Sequence, residues 1–120
     1  MQEKQKGLVV WLDDLRDPKD YGHTDAIWVK SAKGIWGLYM NLQLKGITNE
    51  VTEMHFDNDL GPGYDGYYVF TRLESMIAAG GFKGLKAIYV HTSNPAAAQK
   101  FMLAKEHLAS YGIELIRKHY

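Results

Sequence analysis

The chain has 120 residues, 46% of them hydrophobic and 23% charged, which is the length of one ordinary domain and a mixture that builds a core and argues against disorder. Fourteen basic and fourteen acidic side chains cancel, so no global field draws it onto DNA, RNA or anionic lipid, and no bulk nucleic-acid binding is expected. The absence of cysteine excludes disulfides, thiolate metal sites and cysteine nucleophiles together. The apolar runs are too short to span a bilayer and Met1–Gly7 lacks the apolar core of a secretory signal, so the expectation is one cytoplasmic domain over residues 1–120 with no membrane partner.

Leu8–Leu12 is a continuous apolar run rich in β-formers, the pattern of a buried strand, and it stops at Asp13. Asp13–Asp25 reads as a loop with room for a single helical turn, and Ala26–Val29 as a second short strand. Ser31 is an N-cap for a helix whose apolar positions Ile35, Leu38, Tyr39 and Leu42 recur at helical spacing until Gly46. Val51–Phe56 is a third strand, feeding the acidic, glycine-containing loop Asp57–Gly66. Tyr68, Val69, Leu73, Met76 and Ile77 mark a second helix that Gly80 and Gly81 end. Leu85–Val90 is a fourth strand. Asn94 as N-cap and Pro95 at the first helical position predict a helix from Pro95 to about Ser110, and Gly112 opens a last strand, Ile113–Ile116.

Strands alternating with helices predict right-handed parallel crossovers, and hence an α/β fold in three layers around a central five-stranded parallel sheet. Ligands of such sheets bind beyond the carboxyl ends of the strands, which is where Asp13, Asp57 and Thr92 fall. If the first and third strands are neighbours, Asp13, Asp14, Asp57 and Asp59 converge on one edge. Carboxylates crowded in that way need a cation, and oxygen ligands suit Mg²⁺ or another hard divalent ion with positions left for water or phosphate. Taken alone, Asp13-Asp14 is a turn pair bonded to its own backbone; the matching acids after the third strand shift the balance toward a site. Gly61-Pro62-Gly63 is turn chemistry. Trp11, Trp28 and Trp36 read as packing, with Trp28 also a candidate to border a pocket, and His55 is assigned no role.

The strings Leu12-Asp13-Asp14-Leu15-Arg16-Asp17-Pro18, Trp28-Val29, Asp57-Asn58-Asp59-Leu60-Gly61, Gly63-Tyr64-Asp65 and His91-Thr92-Ser93-Asn94-Pro95 cover most of the chain. Together they resemble the receiver domains of two-component response regulators and, more closely, a divergent relative, the cyclic-phosphate-processing receiver-like domains. The resemblance implies a flavodoxin/receiver-like sandwich with the first helix reduced to a loop and the C-terminal helix absent. In receivers an acidic pair follows the first strand, an aspartate the third, Ser/Thr-Ala the fourth and Lys-Pro the fifth. Here these are Asp13-Asp14, Asp57, Thr92-Ser93 and Lys118-His119. Asn58 stands where the divergent relatives carry histidine, and Thr92 where they carry serine.

The resemblance further implies metal-dependent hydrolysis or ring opening of a cyclic or terminal phosphate on a nucleotide or nucleic-acid end. Asp13, Asp14 and Asp57 would hold the ion. Arg16, Thr92, Ser93 and Asn94 would bind phosphate oxygens, helped by the amino end of the Pro95 helix. Catalysis would fall to Asp57, to Asp59 as a base or orienter of water, and to His91 as acid or base. Two readings of other classes stay open: a signalling receiver with Asp57 as phosphoryl acceptor, and a non-catalytic module binding a protein or nucleotide. The expected partner is a phosphate-bearing small molecule or nucleotide.

Overall fold

The structure is a computed structural model that describes residues 7–119. Five strands, β1 (Leu8–Leu12), β2 (Ile27–Val29), β3 (Val51–Phe56), β4 (Ala87–Val90) and β5 (Glu114–Arg117), form one sheet in the order β2-β1-β3-β4-β5. Every pairing is parallel, with Leu12 opposite Phe56, Phe56 opposite Val90 and Val90 opposite Arg117. The strand order reverses next to β1, so the acid-bearing β1 and β3 are adjacent at the point where open α/β sheets bind ligands.

The crossovers are helices α1 (Ala32–Leu44), α2 (Gly66–Ala78) and the pair α3 (Pro95–Met102) and α4 (Lys105–Ala109). Alternation along the strands decides what each face of the sheet meets. Val10, Leu12, Met54, Phe56, Ile88, Val90 and Leu115 turn to one face, where they are buried with Ile35, Leu42, Val69, Phe70, Leu73, Phe101 and Leu108 of the helices. Each large apolar side chain enclosed there contributes about 1.5–3 kcal/mol. The other face carries Trp11, Glu53, His55, Tyr89 and His91. Its cover is the β1–β2 segment, whose 3-10 turn Pro18–Tyr21 is capped by Asp17 and brings Tyr21 and His23 onto the Trp11 ring at 5.8 and 5.4 Å. That segment stands where a first crossover helix would, as the sequence implied, and no helix follows β5 among the described residues. No described helix is long and apolar enough to cross a membrane.

The caps follow the sequence: Ser31 accepts from Gly34 N, Asp65 from Tyr68 N, and Asn94 from Ala96 N and Ala97 N. Four elements differ from expectation. The helix predicted from Pro95 to Ser110 is broken at Leu103–Ala104, where Ala104 N bonds Phe101 O; no residue there is a helix breaker. β4 begins at Ala87 rather than Leu85, because Leu85 N turns back onto Phe82 O. β2 and β5 each start one residue later than their apolar runs suggest.

Candidate functional site

The ladder of the sheet continues one residue past each strand end. Asp13 N donates to Val29 O at 3.0 Å, Asp57 N to Leu12 O at 2.8 Å, His91 N to Phe56 O at 3.0 Å and Lys118 N to Val90 O at 2.9 Å. Asp13, Asp57, His91 and Lys118 therefore stand in a row across the carboxyl edge. One carboxylate oxygen from each of Asp13, Asp14 and Asp57 lies within 4.8 Å of the other two, so the two acidic segments meet as their strand-end positions required.

The three acids are held differently. Asp13 is fully buried; its Oδ1 accepts from Leu15 N and Arg16 N, both at 2.9 Å, and its Oδ2 from Arg16 Nη1 at 3.2 Å, with His91 Nδ1 at 3.4 Å from the same oxygen. Burial alone would raise its pKa, but His91, the two backbone N–H groups and the guanidinium together hold it below the usual carboxylate value. Asp57 is 5% exposed and has less help: Asn58 N donates to its Oδ1 at 2.9 Å and Arg16 Nη1 stands 3.9 Å away. Burial and the neighbouring Asp13 charge push its carboxyl up to about 6. Asp14 has an enclosed Oδ1 with no hydrogen-bond partner among the described residues.

An enclosed carboxylate oxygen without a donor, beside two further carboxylates, fits a hard divalent cation with oxygen ligands. The acids open onto a cleft of about 360 Å³ lined by Asp14, Leu15, Arg16, Asp57, Asp59, Gly61 and Ser93. Another cleft, of about 280 Å³ between α1 and α2, is lined by Tyr39, Gln43, Thr48, Met76, Ala79, Gly81 and Phe82 and contains no carboxylate, imidazole or cation. Of these two clefts, the one at the acidic edge carries carboxylates and a guanidinium.

Not every predicted site residue lines that cleft. Asp59 and Ser93 do, and both are exposed. Thr92 is buried, and its Oγ1 accepts from Asn94 N at 3.2 Å, so its hydroxyl shapes the loop. The Asn94 side-chain oxygen is taken by the helix cap, which also occupies Ala96 N and Ala97 N; of the amino end of α3, the dipole remains. His91 is 1% exposed and lies behind Asp13, its ring stacked on Trp11 at 4.6 Å.

Some positioning groups were not readable as such. Trp28 Nε1 donates to Asp13 O at 2.7 Å and Trp11 Nε1 to Arg16 O at 2.9 Å, so two indoles fix the backbone of the acidic loop as well as packing. Gly66 is required by space: a Cβ there would sit 1.8 Å from the Asp57 carbonyl oxygen. Gly66→Ala must therefore move the backbone of Asp57. The expected outcome is a loss of about 1–3 kcal/mol in urea unfolding together with weaker divalent-cation binding by calorimetry. Its signal in the sequence was a glycine directly after the Asp65 cap, where no turn demands one.

Comparison with curated proteins and with solved structures gives no match. A family model, the cyclic-phosphate processing receiver domain, matches residues 8–107, a span that runs from β1 through α3 into α4 and takes in Asp13, Asp14, Asp57 and the His91–Pro95 loop. With the parallel five-stranded sheet and the acidic edge in place, the chain belongs to the cyclic-phosphate processing receiver family.

Proposed function

We propose that this domain hydrolyses or opens a cyclic or terminal phosphate ester, on a nucleotide or a nucleic-acid end, with a divalent cation, Mg²⁺ by ligand type, held by Asp13, Asp14 and Asp57. The observation that carries the reading is the unpartnered Asp14 Oδ1 beside Asp13 and Asp57 at a cleft that also presents Arg16 and Ser93. When bound, such a cation neutralises phosphate oxygens that otherwise repel a nucleophile. The Arg16 guanidinium keeps one nitrogen on Asp13 and has further N–H groups to donate to a phosphate, and the Ser93 hydroxyl adds a donor from the β4 side.

In the reaction, water forms a new P–O bond, one ester P–O bond breaks and the released alkoxide takes a proton, leaving a monoester from a cyclic phosphate or inorganic phosphate from a terminal one. Asp59 is the exposed carboxylate of the cleft and orients or deprotonates that water. His91, expected from the sequence to be an acid or base, is enclosed against Asp13, so its part is to position that carboxylate. His91→Gln should accordingly weaken cation affinity along with turnover.

The direct test is turnover of 2′,3′-cyclic and 3′,5′-cyclic nucleotides in the presence of Mg²⁺, followed by chromatography. Opening of the ring that stops on chelation and in Asp57→Asn is the expected result. A stable mass increase with acetyl phosphate and Mg²⁺, lost in Asp57→Asn, with no nucleotide turned over, would instead favour a phospho-accepting receiver, a reading supported by Asp57 lying at the end of the central strand and lining the cleft.

A further inference from the structure

The sheet face beneath the acidic edge carries a second group of ligand-type side chains. Glu53 and His55 are two residues apart on β3 and so project to the same face, and His23 reaches them from the β1–β2 segment. One ligand atom from each of the three lies within 4.8 Å of the other two. His55 Nε2 is 2.7 Å from Glu53 Oε2, and His23 Nδ1 is 3.7 Å from that oxygen. Ligand atoms around a tetrahedral ion with bonds of about 2.0–2.1 Å stand about 3.3 Å apart. The two separations bracket that value, so small side-chain rotations bring the three groups onto one ion.

His55 is also the most enclosed of the three. The residue is 1% exposed, and its Nδ1 is enclosed with no hydrogen-bond partner among the described residues. With one ring nitrogen against a carboxylate and the other bare, the imidazole has an uncommitted lone pair if the proton is on Nε2. If the proton is on Nδ1, a lone pair opposes Glu53 instead. A cation among the three side chains resolves the second arrangement, taking the Nε2 lone pair and the Glu53 carboxylate together while the proton stays on Nδ1.

We propose that His23, Glu53 and His55 bind a transition-series divalent cation, Zn²⁺ by ligand set, at a site separate from the acidic edge. Two imidazoles and one carboxylate suit Zn²⁺, whereas three carboxylates suit Mg²⁺. Of the three, His23 lines a cleft of about 280 Å³ together with Gly22, Thr24, Asp25 and Val9, so the group borders solvent on the His23 side. The ion would join the β1–β2 segment to the central strand. That segment supplies Asp14 and Arg16, and Trp11, stacked on His55 at 4.6 Å, also holds the Arg16 carbonyl, so occupancy would steady one wall of the acidic cleft.

The test uses the whole chain, stripped of metal, in an Asp14→Asn/Asp57→Asn background that removes two of the three acidic-edge ligands. Zn²⁺ is titrated against a chromophoric chelator, and Co²⁺ serves as a spectroscopic substitute. The expected result is one equivalent bound, a visible Co²⁺ spectrum of a four-coordinate nitrogen and oxygen site, and a thermal midpoint raised by Zn²⁺ but not by Mg²⁺. His23→Ala and Glu53→Gln, at partly exposed positions, should each weaken Zn²⁺ binding at least about tenfold with unchanged circular dichroism. Zn²⁺ affinity equal in the background and in both added variants, or no Zn²⁺ binding in the background, would overturn the proposal whatever the acidic edge binds.

Discussion

Asp57→Asn is expected to make the metal-free protein more stable while removing its Mg²⁺ binding. Asp57 is nearly enclosed, faces the Asp13 charge and has its carboxyl pushed up to about 6 from an ordinary 3.8. Each unit of that difference corresponds to about 1.4 kcal/mol of preference for the neutral form. An amide of the same shape can still accept from Asn58 N and carries no charge, so a gain of about 1–3 kcal/mol at pH 7 is expected, seen as a thermal midpoint higher by roughly 5 °C or more. The sign of the pH dependence follows. A carboxyl whose pKa is higher folded than unfolded gives stability that is fully present below about pH 4 and lost as pH rises to about 6. The advantage of the variant should therefore grow across that window and vanish below it. Mg²⁺ should raise the midpoint of the parent protein and leave that of the variant unchanged. A variant less stable than the parent at pH 7 without metal would contradict this account of Asp57.

Asp13→Ala, at the neighbouring position of the same edge, is expected to act in the opposite direction. Asp13 is fully buried, accepts from two backbone N–H groups and the Arg16 guanidinium, and has His91 against its second oxygen. Removing the carboxylate strands those donors and frees the loop that β1 hands to the cleft. A loss of about 3 kcal/mol or more in urea unfolding at pH 7 is expected, with cation binding abolished. Asp13→Asn should lose less, because one oxygen remains for the two backbone donors. The pH dependence also reverses: a carboxyl held below its usual pKa gives stability that is present above about pH 4 and lost as pH falls through the lowered value. Equal effects of Asp13→Ala and Asp57→Asn on stability would mean that the two carboxylates do not differ in their surroundings.

The contrast between these aspartates shows where sequence reading reached its limit. β1 and β3 could be bounded because their apolar runs end abruptly in aspartate, and α1 and α2 because Ser31 and Asp65 announce their starts. The convergence of Asp13, Asp14 and Asp57 followed from the parallel pairing of two such strands. Which carboxylate receives the donors did not, since that depends on how the Asp13–Arg16 turn folds back on itself and on a histidine from β4 lying behind it. His55 was readable in principle, because Asp57 fixes the alternation and a residue two positions earlier must share its face. Trp11 and Trp28 hid their role: an indole in an apolar run signals packing, and only the fold shows where its N–H goes. The break in the predicted Pro95–Ser110 helix left no trace in residue type.

If Asp13, Asp14 and Asp57 share one divalent cation, a calorimetric Mg²⁺ titration of the metal-stripped chain beside Asp14→Ala will show it. Asp14 is the informative position because its enclosed oxygen has no partner among the described residues to lose, so the substitution changes the metal site and little else. One Mg²⁺ per parent chain and none in the variant is expected. Undiminished binding in Asp14→Ala, or no binding in the parent, would contradict it.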